Sequence, residues 1–120
     1  MSQSIDNPDY YRNNQSKIEC IEITRYLSFC RGNAIKYLWR CGQKDTTDNE
    51  LKKAIWYLKD ELKNRSAVLY CKDICLLLDM KLTTLSMYQD DNTRRLFWLI
   101  VFGDSQDLKT AINIIEDMLL

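Results

Sequence analysis

Three observations predict an all-α fold, a compact bundle of about five to six helices: few turn residues, apolar residues at helical spacing, and one helical pattern that occurs twice. Only three glycines and one proline occur in 120 residues, too few to punctuate a chain of many short strands. Leu51, Ala54, Ile55, Leu58 and Leu62 fall on a single stripe of a helical repeat. ELKKAIWYLKDEL at 50–62 is echoed by DLKTAINIIEDML at 107–119, each downstream of a glycine, Gly42 or Gly103, so a duplicated helical hairpin is a further expectation.

Residues 1–17 are polar, hold Pro8 and the adjacent Tyr10 and Tyr11, and are expected to form an arm without regular structure. Residues 18–120 then make one helical domain, a length that supports one core. IECIEITRYLSF at 18–29 can form an amphipathic helix with Ile18, Ile21 and Leu27 inward and Glu19, Glu22 and Arg25 outward. Gly32 punctuates the chain, and Asn33 is expected to cap AIKYLWRC, which stops near Gly42. A polar loop, QKDTTDN, leads to the clearest helix, 49–64. Three more helices are expected near 67–80, 92–102 and 105–119, the last capped by Asp104 or Ser105. The apolar run from Leu96 to Phe102 is too short to cross a bilayer and reads as buried core rather than a docking patch. Residues 18–65 carry the useful basic groups, and 66–120 are assigned to packing or self-association.

Composition removes several mechanisms. Histidine is absent, so there is no imidazole base or ligand. Lys+Arg and Asp+Glu number 17 each, a balance that argues against coating duplex nucleic acid. The five cysteines, Cys20, Cys30, Cys41, Cys71 and Cys75, form no C-x-x-C, and the chain opens without a hydrophobic signal segment; small apolar side chains in a soluble, intracellular protein are expected. There is no G-x-x-x-x-G-K-[ST] and no set for a catalytic triad.

Positive charge nevertheless clusters. Lys36 and Arg40 lie one helical turn apart, with Arg31 before them and Lys44 after. Backbone N–H groups beside Gly32 and Asn33 would add donors for a phosphate. On the next helix Glu50, Lys53 and Tyr57 share an edge: Lys53 for a second phosphate, Glu50 for a sugar hydroxyl, Tyr57 for a base. Glu19 and Glu22 form an E-x-x-E pair of the kind that can hold magnesium, without a second acidic pair to complete it. A solvated, salt-bridged surface is the competing reading of all these charges.

Read together, NPDYY, IECIEI, RGNAIKYLWRCGQK and ELKKAIWYLKDEL resemble the SaV-like, phage nucleotide-kinase-like family of small phage proteins. Its pattern runs P-x-H-Y, E-x-I-[DE], G-N-x-x-K-Y-x-x-R-x-G-x-K and D-L-x-K-A-x-x-Y-L. Roughly residues 7–62 carry the resemblance, through Pro8, Tyr11, Glu19, Glu22, Gly32, Asn33, Lys36, Tyr37, Arg40, Gly42, Lys44, Leu51, Lys53, Ala54, Tyr57 and Leu58. It implies phosphorylation of deoxynucleoside monophosphates without a P-loop, at a site built from separate helices, in the cytoplasm of an infected bacterial host. The family histidine is Tyr10 here, which stacks or donates a hydrogen bond but exchanges no proton near neutral pH.

Three functions follow as expectations. The first is a nucleotide-binding protein without turnover, a counter-defence sponge for a host cyclic nucleotide messenger, with phosphate held by Arg31, Asn33, Lys36, Arg40, Lys44 and Lys53 and base or sugar by Tyr10, Tyr11, Tyr37, Glu50 and Tyr57. It requires no cofactor. The second is the monophosphate kinase, with magnesium as its expected metal. The third is a helical adaptor using Phe97 to Phe102. A two-helix site buries little of a nucleotide, so a homo-oligomer is expected, with no membrane and no duplex nucleic acid as partner.

Overall fold

A computed structural model describes residues 9–13, 15–64 and 70–119; Pro8, in the N-terminal arm, lies outside them. The described residues hold a 3-10 turn at Asp9–Tyr11 and six α-helices: α1 Ile21–Thr24, α2 Phe29–Trp39, α3 Thr47–Asn64, α4 Lys72–Ser86, α5 Asp91–Phe102 and α6 Ser105–Met118. They contain no strand, only an isolated bridge between Arg12 and Glu19. The all-α expectation holds, and no described helix is long and apolar enough to cross a membrane.

The helix expected over 18–29 shrinks to the single turn of α1. Backbone hydrogen bonding explains the difference: Cys20 N donates to Tyr11 O at 2.7 Å and Asn13 N to Ile18 O at 2.9 Å, closing a tight turn in which Lys17 takes φ 66°. Those bonds commit the chain to an extended return before a helix can start. Ile18 and Ile23 consequently face the core, whereas Ile21, expected inside, is half exposed.

The next helix starts earlier than its sequence indicates. Ser28 is the N-cap of α2, its hydroxyl accepting from Arg31 N at 3.3 Å. Gly32 N is already bonded to Ser28 O at 2.8 Å, and Asn33 lies inside the helix with its amide on Phe29 O. The free N–H groups expected beside Gly32 and Asn33 are therefore not there to receive a phosphate. The expected stop is found: α2 ends at Trp39 and Gly42 supplies φ +79°, open to glycine without strain.

The remaining helices follow their caps. Thr46 Oγ1 accepts from Asn49 N at the start of α3. Asp104 caps α6 with a full capping box through Asp107. Gly103 precedes it where a Cβ would lie 2.1 Å from Leu99 O and 2.4 Å from Asp107 Cβ, so no side chain fits. Helix α4 runs later than expected because Leu78, Leu82 and Leu85 continue its buried stripe.

The two hairpins pack like to like, α2 against α5 and α3 against α6. Trp39 stacks on Phe97 at 5.9 Å between the first pair. Leu96, Phe97, Ile100 and Val101 are buried, as the apolar run required; of the cysteines, Cys20 and Cys30 are buried as small apolar side chains would be, while Cys71 is exposed. One ionic clamp runs through this core: Arg31 Nε binds Glu61 at 3.0 Å and its Nη1 donates to Ile100 O at 2.7 Å, joining α2, α3 and α5.

Candidate functional site

The α2–α3 hairpin brings Lys36, Tyr37 and Arg40 beside Glu50, Lys53 and Tyr57. Tyr37 and Tyr57 stack with centroids 5.7 Å apart and planes 18° from parallel. Around the Tyr37 ring stand three cations, Lys36 Nζ at 4.6 Å, Arg40 Cζ at 4.7 Å and Lys53 Nζ at 5.4 Å from its centroid. The ring's negative face attracts each of them and offsets part of their mutual repulsion.

Behind the ring the charges are fixed. Arg40 is only 5% exposed; its Nε donates to Glu50 Oε2 at 2.7 Å and its Nη1 to the Tyr11 hydroxyl at 2.8 Å. Burial by itself would lower the Arg40 pKa, but the bonds to Glu50 and Tyr11 outweigh it and hold the value above the ordinary one. Glu50 is fully buried, and its Oε1 has no hydrogen-bond partner among the described residues; Lys53 Nζ stands 3.7 Å away. Lys53 instead bonds Asp45 Oδ2 at 3.2 Å. Two carboxylates thus face three cations, leaving one net positive charge in the cluster.

Lys36 also reaches a groove of about 300 Å3 lined by Thr24, Leu27, Ser28, Phe29, Gly32 and Asn33. The groove is the open flank of the cluster. Burial raises the hydroxyl pKa of both Tyr11 and Tyr57, so at neutral pH they donate hydrogen bonds and do not act as bases. The chemistry on offer is anion binding next to stacking surfaces.

Most of the sequence-derived site is gathered here: Tyr11, Lys36, Tyr37, Arg40, Glu50, Lys53 and Tyr57, with Tyr10 on the edge of Tyr11 at 4.5 Å. Lys44 is exposed in the turn after α2. Arg31 does not join them, because its guanidinium is spent in the core on Glu61 and Ile100. Asn33 borders the groove with its amide committed to Phe29 O.

The E-x-x-E pair has a different use. Glu22 Oε2 accepts from Glu19 N at 2.7 Å and Oε1 from Lys81 Nζ at 2.7 Å, so both oxygens serve the fold. No group of three or more metal-binding side chains occurs among the described residues. Glu22 would have to release one of these partners to take a metal, so magnesium at Glu19 and Glu22 stays an expectation tied to the kinase reading.

Sequence reasoning missed Asp45, Phe29 and Trp56. Phe29 is 75% and Trp56 61% exposed, and both make edge contacts with Tyr57, at 5.9 and 5.0 Å. A signal was present: Trp56 falls off the apolar stripe of α3, where a large aromatic gains nothing from the core.

Residues 5–59 are similar to a family of proteins of unknown function, DUF3310, a match that covers the arm, α1, α2 and most of α3. The cation cluster lies wholly within it. No curated protein and no solved structure matches the chain.

Proposed function

We propose that this protein binds a phosphorylated nucleotide and releases it unchanged, with the phosphates at Lys36 and Lys53 and the base against the exposed aromatic edge of α2 and α3. The observation that supports this most is the trio of cations on one tyrosine ring, held by a fully buried glutamate. Bringing like charges together costs energy in the free protein, and an anion recovers it. Arg40 is the fixed member; Lys36 and Lys53 are the groups with reach to move onto a ligand. In a phage setting the most useful ligand is a cyclic nucleotide messenger of the host, captured as a counter-defence sponge. That setting rests on the family resemblance alone.

The monophosphate kinase is the second reading, favoured by the G-N-x-x-K-Y-x-x-R sequence at residues 32–40. Tyr10 stands where the family has its histidine, so this chain lacks the imidazole of that motif. The adaptor reading has less to support it, since Phe97, Ile100 and Val101 are buried and Trp98, Leu99 and Phe102 partly so. A homo-oligomer belongs to the same proposal: the cluster is open on its groove side, and Leu76 and Met80 are exposed on α4 with Met87 just beyond its end.

The test is to incubate the protein with labelled nucleoside monophosphates plus a triphosphate donor, and separately with cyclic dinucleotides followed by heat release. Intact recovery without phosphorylated product is expected, and product at enzyme-like turnover overturns the binding-only reading. Lys36→Ala and Lys53→Ala are each expected to weaken capture about tenfold to a hundredfold, the loss of one charge-assisted bond. Unchanged affinity in both would return the cluster to a solvated face.

A further inference from the structure

Helix α3 is electrically neutral in sequence, with Asp48, Glu50, Asp60 and Glu61 against Lys52, Lys53, Lys59 and Lys63. The fold separates these charges. Glu50 and Glu61 are 0% and 3% exposed, consumed by Arg40 and Arg31. Asp60 accepts from the Cys30 thiol and the Asn64 amide. Lys52, Lys59 and Lys63 remain on the solvent side, exposed, and none forms an ion pair with a described residue.

Trp56 stands in the same stripe. Residues 52, 56, 59 and 63 follow the four-three-four spacing of one helix face, about 16 Å long at the helical rise. Trp56 leaves 61% of its surface in water, and with Lys59, Asp60 and Lys63 it lines a shallow hollow of about 140 Å3. Lys59 and Lys63, one turn apart, repel each other, and Asp60 beside them is hydrogen-bonded to the Cys30 thiol and the Asn64 amide rather than to either lysine. An exposed indole between unpaired lysines gains nothing for the fold; it suits a chain that offers anions and flat rings in alternation.

We infer that this face of α3 binds single-stranded nucleic acid, with a base stacked on Trp56 and backbone phosphates on Lys52, Lys59 and Lys63. The face is long enough for only a short run of nucleotides. Stacking is available only from unpaired bases, and three lysines are too few for a duplex, in keeping with the chain's overall neutrality. The site uses none of Lys36, Arg40 or Lys53; Trp56 also borders the aromatic edge assigned to the mononucleotide base, so the lysine substitutions are what separate the two readings.

The test is titration of the full-length protein with a twelve-nucleotide oligodeoxythymidylate, followed by tryptophan fluorescence and anisotropy, with polyglutamate and a duplex of equal length as comparators. Trp39 and Trp98 are partly buried, so quenching reports chiefly on Trp56. Expected are quenching, a log–log salt slope of about −2 for three phosphate contacts, and weaker duplex binding. Trp56→Ala should abolish the quenching and weaken binding at least about tenfold. Lys59→Glu with Lys63→Glu should do the same to affinity, and Lys36→Ala should leave it unchanged. All of these substitutions lie outside the core, and circular dichroism verifies the fold. Absence of binding at low salt, or affinity untouched by Trp56→Ala and the lysine reversals, overturns the inference. Equal binding of polyglutamate also overturns it and assigns the face to an acidic protein.

Discussion

Arg40 and Lys36 lie one turn apart on α2, and their spacing in sequence makes them equivalent cations. Their surroundings make them opposites. Lys36 keeps its ammonium near water over the Tyr37 ring, whereas Arg40 is locked between Glu50 and the Tyr11 hydroxyl. Arg40→Ala would leave buried Glu50 without its hydrogen-bonded partner and with only Lys53 at 3.7 Å, and removing one partner of such a pair costs about 3–5 kcal/mol. A large fall in the urea midpoint is therefore expected for Arg40→Ala, and for Arg31→Ala through Glu61, with little change for Lys36→Ala. Equal midpoints in all three would show that the buried pairs do not hold the hairpins. The same contrast explains which site residues could be read in advance. Lys53 and Tyr57 are legible because helical spacing alone places them on one edge of α3, and Lys36 because it falls one turn before Arg40 on α2, whereas burial of Arg31 depends on Glu61 and Ile100, residues far along the chain.

At the scale of elements, caps decided more than periodicity. Asp104 announces α6, and the structure places it at the N-cap with Asp107 closing the box. Asp104→Ala should lower stability by about 1 kcal/mol, measured by chemical denaturation; no loss would mean the α6 end frays already. Ser28 is the harder cap to read, because Gly32 and Asn33 imitate a helix start four to five residues on. In α1 the local pattern failed outright: IECIEITRYLSF has helical spacing, but the turn joining Tyr11 to Cys20 takes its first residues. Charge segregation on α3 is likewise invisible until its glutamates meet α2.

Across the whole molecule, three carboxylates couple stability to acid. Glu22 is lowered from 4.5 chiefly by the Lys81 hydrogen bond, Asp45 from 3.8 by the Thr46 backbone, and Asp90 from 3.8 by Thr93 at the cap of α5. A folded-state pKa below the unfolded one stabilises fully above the unfolded value and is lost as pH falls through the folded value. The urea midpoint is therefore expected to hold steady from pH 7 to about 5 and to fall below about 4.5. Glu22→Gln and Asp90→Asn should each make that acid limb shallower, and an unaltered limb in both would refute the assignment. Glu22 ties α1 to α4, so its protonation also loosens the join between the two halves of the chain.

The amino-acid sequence alone determined the all-α class, the apolar stripes of α3 and α6, the stop at Gly42, the cap at Asp104 and the basic edge of residues 36–53. Each is a local property: propensity, spacing or capping acts within one or two turns. Tertiary structure decided where the balanced charges went. It sank Arg31, Arg40, Glu50 and Glu61 into pairs, tied Glu22 to Lys81 on α4, and left Lys36, Lys53 and the Trp56 stripe facing water. The reason is that desolvation depends on what packs against a side chain, and those neighbours lie up to 69 residues away along the chain.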